Sequence, residues 1–156
     1  MKRLFIIAAA MILVACVLAA CGGNASADVD MNALLSDINS TYGISDLKIL
    51  DTTGDLNRYY SIAEEDVKQF SAELTTKASQ YNEIIIVEAV DDAAAGRIAT
   101  QLNNHLDAQL NTAKSYDKDA VAMIEGCSVK QVNQTVYLVI SDQAAAINTA
   151  IEAAFQ

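Results

Sequence analysis

Glycine, cysteine and histidine are scarce in this sequence, which has 6, 3 and 1 of them among 156 residues. No glycine-rich phosphate-binding loop is present. The one histidine, His105, lies in no distinctive motif of a histidine-based catalytic triad. If the N-terminal cysteines, Cys16 and Cys21, are removed or modified, only Cys127 remains in the folded region. The sequence therefore predicts neither an intrachain disulfide nor a thiolate metal site.

Positive charge is also scarce, because 10 Lys and Arg residues stand against 20 Asp and Glu residues, a net charge of −10. Without Lys2 and Arg3, which belong to the N-terminal segment described next, the net charge becomes about −12. Like-charge repulsion then disfavours nucleic acid and anionic polymers as partners. An excess of Asp and Glu side chains is also the ordinary way to keep a protein soluble. Cations and basic surfaces remain possible partners.

The longest apolar run is at the N-terminus, where residues 4–20 follow the basic Lys2 and Arg3. This layout predicts a secretory signal peptide over residues 1–20. A permanent membrane span is the alternative, but the run has 17 residues, whereas the hydrocarbon core of a bilayer requires about 20.

The letters LAAC at residues 18–21 resemble the lipobox of bacterial lipoproteins, in which a branched apolar residue and small residues precede a cysteine. In such proteins the thiol accepts a diacylglyceryl group, and a peptidase then cuts before the modified cysteine. Cys16 fits the same pattern, but only Cys21 is followed by a small polar stretch, GGNASAD. We therefore predict lipid attachment at Cys21, a flexible tether at residues 21–28 and a single domain at residues 29–156 outside the cytoplasm.

Hydrophobic patterning predicts four strands and two long helices in this domain. Apolar, β-branched runs are typical of strands, and apolar stripes behind acidic caps are typical of helices. The strands are predicted at residues 67–76, 83–90, 127–132 and 136–140, and the helices at residues 91–110 and 141–154.

The order strand, strand, helix occurs twice, and IIIVEAVDDAAAGRIATQL is echoed by VYLVISDQAAAINTAIEAAF. Duplication and convergence both explain the echo. Two such units predict an α+β fold, a four-stranded and mostly antiparallel sheet with both helices on one face. Residues 31–38, between Asp30 and Gly43, predict a short N-terminal helix at an edge or end of the sheet. In the last unit, Ser141 or Asp142 is predicted to cap the helix, and residues 47–50 are too short to assign.

Few side chains are candidates for chemistry. His105 lies on the flank of a helical stripe, so partial burial is favoured over catalysis. Cys127 is favoured as a buried strand cysteine because no local charge lowers its pKa. The acidic groups at residues 64–66 and at Asp117 and Asp119 do not match a calcium loop. We predict no catalytic, cofactor-binding or metal-ligating residues.

Four stretches in order resemble a known family: the lipobox, YYSIAEEDVKQF, NEIIIVEAVDDAAAGRIATQLNNHLDAQL and QTVYLVISDQAAAINTAIEAAF. They are similar to small lipoproteins of Gram-positive bacteria that are classed as a domain of unknown function, and the resemblance covers nearly all of the mature chain. The chain departs from that family in lacking a proline after the long helix and in having His105 where a basic residue is commoner. The resemblance implies anchoring at Cys21 and carries no established activity or catalytic residues.

These observations predict a lipid-anchored, non-enzymatic module on the outer face of the cytoplasmic membrane. Its partners would be the membrane, through the N-terminal lipid, and a protein or cell-envelope component bound at the sheet face, the helix face or a strand edge. A small-ligand-binding accessory of a transport or sensing system is the alternative, and an enzyme acting through carboxylates in a concave acidic site is a third hypothesis. An exposed Tyr59 and Tyr60 pair would anchor a carbohydrate or a partner chain, although core packing is the commoner use of such residues. No cofactor and no nucleic acid are expected.

Overall fold

The computed structural model describes residues 29–77 and 80–155. The predicted signal peptide at residues 1–20, Cys16, Cys21 and the predicted tether at residues 21–28 lie outside the described residues. Within the described ranges, no helix has both the length and the apolar composition needed to cross a membrane.

The described residues form five strands and five α-helices. The strands are β1 (Lys48–Leu50), β2 (Val67–Leu74), β3 (Glu83–Ala89), β4 (Lys130–Val132) and β5 (Thr135–Ile140). The helices are α1 (Met31–Tyr42), α2 (Thr53–Tyr60), α3 (Asp92–Tyr116), α4 (Lys118–Glu125) and α5 (Ala144–Ala154), with a single 3-10 turn at Glu64–Asp66. All strands pair antiparallel in the order β1-β2-β3-β5-β4. The predicted α+β class with an antiparallel sheet is therefore confirmed.

The prediction of four strands is wrong, because β1 adds a fifth at one edge of the sheet. Lys48 pairs with Leu74 and Leu50 with Ala72 of β2. Three residues are too few for a hydrophobic period to show in the sequence, so β1 depends on its partner strand rather than on local pattern. A second element that the hydrophobic pattern does not predict is α4.

Helices cover both faces of the sheet. Successive side chains of each strand point alternately to one face and to the other. Glu83 of β3 contacts His105 of α3, and Tyr60 of α2 also donates to Glu83. The side of the sheet that carries Glu83 and Ile85, termed the α3 face below, is therefore covered by α2 and α3.

The opposite side carries Ile86 and is termed the α1 face. In the sheet register, Ile86 lies between Ser71 of β2 and Tyr137 of β5. Ser71 donates to Asn32 of α1 at 2.9 Å, and Tyr137 donates to Glu152 of α5 at 2.9 Å. The α1 face is therefore covered by α1 and α5.

The prediction that both long helices share one face is wrong, because α3 and α5 lie on opposite faces. Every residue of β3 and β5 is buried, which requires a cover on each side. If the two strand, strand, helix units were related by a two-fold axis perpendicular to the sheet, between β3 and β5, both helices would lie on the same face. The repeated order of strand, strand and helix is thus not matched by symmetric packing.

The two helices that follow the central strands begin differently. Asp91 caps α3 by accepting a hydrogen bond from the backbone N–H of Ala94 at 2.7 Å. The prediction of Ser141 or Asp142 as the cap of α5 is wrong, because Gln143 occupies that position without a side-chain hydrogen bond. Ser141 instead accepts from the backbone N–H of Gln143 at 3.1 Å, which stabilises the turn before the helix.

Candidate functional site

A groove of about 430 Å³ lies between the chain segment before β2 and α3. The α3 side is formed by Ala93, Gly96, Arg97, Ile98, Thr100 and Gln101, and the opposite side by Ser61, Ile62, Ala63 and Asp66. Apart from the buried Ile98, the α3 residues are spaced so that they share one side of the helix. The volume lies within the range of about 300–1,000 Å³ that is typical of small-molecule sites.

An ion pair between Asp66 and Arg97 supplies the charge in this groove. Arg97 donates from Nε to Oδ2 at 2.9 Å and from Nη2 to Oδ1 at 2.5 Å, so two nitrogens bind one carboxylate. Asp66 is 5% exposed, whereas the Arg97 side chain is 58% exposed. The hydrogen-bonded guanidinium holds the pKa of Asp66 below its ordinary value. The Asp66 carboxylate is therefore held inside the protein, whereas the Arg97 side chain is accessible from the groove.

Local structure positions both partners. Asp66 ends the 3-10 turn, where its backbone N–H donates to Ala63 at 3.1 Å and its carbonyl accepts from Val90 at 3.0 Å. Arg97 lies in the second turn of α3. Across residues 29–77 and 80–155, Arg97 Nη1 has no hydrogen-bond partner, so its two N–H groups can be donated to a ligand.

Acidic side chains surround Arg97 at the groove. Asp66, and then Asp91 and Glu65, raise the pKa of Arg97. Because the ion pair is neutral as a unit, the two further carboxylates favour a neutral or zwitterionic ligand over a simple anion. At Gly96 the helix surface is open, since a Cβ there would meet nothing within 4 Å.

A second polar cluster, formed by Glu83, His105 and Tyr60, is enclosed on the α3 face. His105 Nε2 lies 2.7 Å from Glu83 Oε1, and the Tyr60 hydroxyl donates to Glu83 Oε2 at 3.4 Å. The Glu83 and His105 side chains are only 4% and 14% exposed. Burial, together with the Glu83 carboxylate, raises the pKa of Tyr60 well above its ordinary value, so its hydroxyl remains a donor. This cluster joins α2, α3 and β3 and offers little surface to a substrate.

The sequence pointed to His105 but missed its partner, Glu83. The predicted partial burial of His105 is confirmed. Glu83 was missed because it opens the apolar run EIIIVEAV, whose pattern indicates burial without identifying a polar partner. The sequence does carry a signal for this partner, since a carboxylate buried together with an apolar run requires a hydrogen-bonding partner.

Cys127 lies between α4 and β4, so its predicted place in a strand is wrong, while its predicted burial is confirmed at 9% exposure. Its thiol donates to the carbonyl of Met123 at 3.2 Å. Burial is the main effect that raises the pKa of this thiol. The structure therefore places Cys127 in surroundings that disfavour the reactive thiolate.

Among the remaining sequence candidates, Asp117 caps α4, because its carboxylate accepts a hydrogen bond from the backbone N–H of Ala120 at 3.4 Å. Within the described part of the chain, no three His, Cys, Asp or Glu side chains group to hold a metal ion. Tyr60 is buried. Tyr59 is half-buried, with Lys48 and Arg58 at 5.1 and 5.6 Å from its ring centre, so these tyrosines form no joint exposed surface.

Comparison with known proteins gives one family. Residues 36–141 match the sequence profile of a domain of unknown function (DUF4358). Searches of curated proteins and of solved structures found no match. The matched range contains the Asp66–Arg97 groove and the Glu83–His105 cluster, and it does not extend to Cys21.

Proposed function

This chain belongs to the family described as a domain of unknown function (DUF4358). We propose that it is a lipid-anchored, non-enzymatic binding module on the extracytoplasmic face of the membrane. Cys21 carries the lipid, and the groove beside Asp66 and Arg97 takes the ligand. The observation that carries the binding role is the exposed guanidinium of Arg97, which is held by a buried carboxylate while Nη1 remains free to donate.

The lipid anchor is supported by LAACGG at residues 18–23, which ends the apolar run of a secretory signal. The resemblance to small lipoproteins of Gram-positive bacteria carries the same implication. Two acyl chains hold a protein on a membrane stably, whereas one does not. Because α1 begins at Met31, a fully extended chain from Cys21 would keep the domain within about 35 Å of the bilayer.

Binding without catalysis is supported by the state of the ionisable side chains. His105 and Cys127 are enclosed, and burial raises the pKa of the Cys127 thiol. Asp66 is the carboxylate that lines the groove, and its pKa is lowered by Arg97, which makes it a weak proton acceptor. A carboxyl group that acts as a general acid or base near neutral pH would require the opposite shift.

A small-ligand-binding accessory of a transport or sensing system is the second candidate function. The size of the groove, about 430 Å³, favours it. A small ligand would bind saturably and, because it binds the folded state alone, would raise the melting temperature further with each increase in its concentration. A protein or cell-envelope partner would instead form a covalent adduct in cells with a photo-crosslinking residue placed in the groove.

Gly96 allows the groove to be blocked with a matched control. Gly96→Phe is expected to fill the groove, whereas Gly96→Ala adds a Cβ into open space and improves helix propensity. A photo-crosslinking residue at Thr100, inside the groove, is compared in cells with one at the exposed Thr112 on the same helix. Native mass spectrometry of the purified lipoprotein detects a bound small molecule.

We expect Gly96→Phe to reduce the Thr100 adduct, or the bound small molecule, by about tenfold or more, the equivalent of 1.4 kcal/mol or more. Gly96→Ala should retain it. If neither signal depends on residue 96, the groove is not the binding site.

A further inference from the structure

Glu73 of β2 is a buried carboxyl group on the α1 face with an incomplete set of hydrogen bonds. It is 3% exposed and lies in register with Ile49 of β1 and Ile84 of β3. Asn39 of α1 donates from Nδ2 to Glu73 Oε2 at 3.0 Å. Glu73 Oε1 and Asn39 Oδ1 are both buried, and neither has a hydrogen-bond partner within residues 29–77 and 80–155.

One proton would satisfy both of these oxygens. A carboxylate can only accept hydrogen bonds, whereas a protonated carboxyl group also donates one. A primary amide offers the complementary acceptor and donor. An ionised Glu73 would instead place a buried negative charge beside an amide oxygen that also lacks a donor, which is unfavourable in a low-dielectric interior.

No positive charge on the surrounding elements compensates a charge on Glu73. The titratable groups of these elements are Lys48 of β1, Lys68 of β2, Glu83 and Glu88 of β3, Asp37 and Tyr42 of α1, Tyr137 of β5 and Glu152 of α5. Lys48 and Glu83 lie on the α3 face by strand alternation. Lys68 is bound to Glu88 at the other end of the sheet, and Tyr137 is bound to Glu152. Asp37 is exposed, and the Tyr42 hydroxyl donates to a carbonyl of α5.

We propose that Glu73 keeps its proton in the folded protein at neutral pH and donates it to Asn39 Oδ1, so that the two side chains form a pH-dependent latch between α1 and the sheet. Burial, only partly offset by the hydrogen bond from Asn39, raises the pKa of Glu73 in agreement with this arrangement. Helix α1 is the first described element after the proposed lipid attachment point. The latch therefore controls how firmly the anchored end of the domain is held to its core.

The direction of the pH dependence follows from linkage. Because the pKa of Glu73 is higher in the folded than in the unfolded chain, the latch stabilises fully below the unfolded pKa of about 4.3. Its contribution is lost as pH rises through the folded pKa. Carboxylates in ordinary salt bridges, including Asp66, contribute in the opposite direction.

The test is urea unfolding of the full chain in detergent micelles between pH 4 and pH 9, for the wild type and Glu73→Gln. Glutamine reproduces the neutral acid, since its amide accepts from Asn39 Nδ2 and donates to Asn39 Oδ1. We expect Glu73→Gln to raise the urea midpoint at pH 8, to leave it near the wild-type value at pH 4, and to flatten its pH dependence. Asp37→Asn, on the exposed side of α1, should not change the pH dependence.

Infrared difference spectroscopy at neutral pH gives an independent reading on the wild-type protein. A band of a protonated carboxyl group that is absent from Glu73→Gln supports the latch. The proposal is overturned if this band is missing, or if Glu73→Gln lowers the urea midpoint equally at every pH. If the glutamine variant does not fold, the wild-type band before and after titration to high pH decides the question.

Discussion

Replacing His105 by alanine is expected to lower the free energy of unfolding by about 3–5 kcal/mol, because the change leaves a buried carboxyl group without its main partner. Glu83 is 4% exposed, and after the change its side chain would keep, within residues 29–77 and 80–155, only the hydrogen bond from the Tyr60 hydroxyl at 3.4 Å. The ring contact between Tyr60 and His105, with centroids 4.6 Å apart, would also be lost. Urea unfolding at neutral pH measures the effect.

A double-mutant cycle distinguishes the cost of leaving the Glu83 carboxyl group without a partner from the cost of lost packing around His105. Adding Glu83→Gln to His105→Ala removes the buried charge and should restore part of the lost stability. Asn104→Ala changes an exposed neighbour on the same helix and should cost no more than about 0.5 kcal/mol. If His105→Ala costs no more than Asn104→Ala, the cluster does not hold α3 to the sheet.

Ile85→Ala and Ile86→Ala are each expected to cost about 2–5 kcal/mol, because both side chains are fully buried although they point to opposite faces of the sheet. Ile85 packs on the α3 face and Ile86 on the α1 face. A sheet with helices on one side only would show one large and one small effect. Urea unfolding of the two variants compares them directly.

Ile49→Ala is the control for this pair. Ile49 is also an isoleucine of the sheet, but it lies in β1 and is 59% exposed, so its replacement should cost little. An Ile85 or Ile86 variant as stable as the Ile49 variant would contradict the three-layer arrangement of helix, sheet and helix.

The sequence was sufficient to find the central elements of this fold. Strands β3 and β5 and helix α3 are long, strongly patterned segments. The predicted bounds of both strands and the predicted start of α3 agree with the structure to within one residue, whereas α3 continues to Tyr116, beyond the predicted end at residue 110. Strand β1 has three residues and α4 has eight, so neither carries enough periods to be recognised.

The misplacement of a helix has a definite physical origin. The run EIIIVEAV shows no alternation of polar and apolar residues, and a strand without alternation is covered on both faces. The prediction of two strand, strand, helix units side by side, with both helices on one face, leaves the other face of this strand without a cover. The absence of alternation was the better guide.

The candidate site was less predictable than the fold. Arg97, Glu83 and Glu73 are ionisable residues inside regular elements, where such side chains commonly face solvent. What distinguishes them is the partner that the fold brings from far along the chain: Asp66, His105 and Asn39. No local pattern specifies such pairs, whereas a short motif such as LAACGG can be read without a structure. Lipid attachment at Cys21 thus stays a prediction from sequence.

The most direct measurement for a lipid-anchored module is the intact mass of the protein extracted from the membranes of cells that express the full chain. The native protein and Cys16→Ala should start at residue 21 and carry the mass of a diacylglyceryl group, with or without an acyl group on the amine. Cys21→Ala should carry no lipid and leave the membrane fraction. A native protein without the lipid mass, or a lipid retained in Cys21→Ala, would contradict the account.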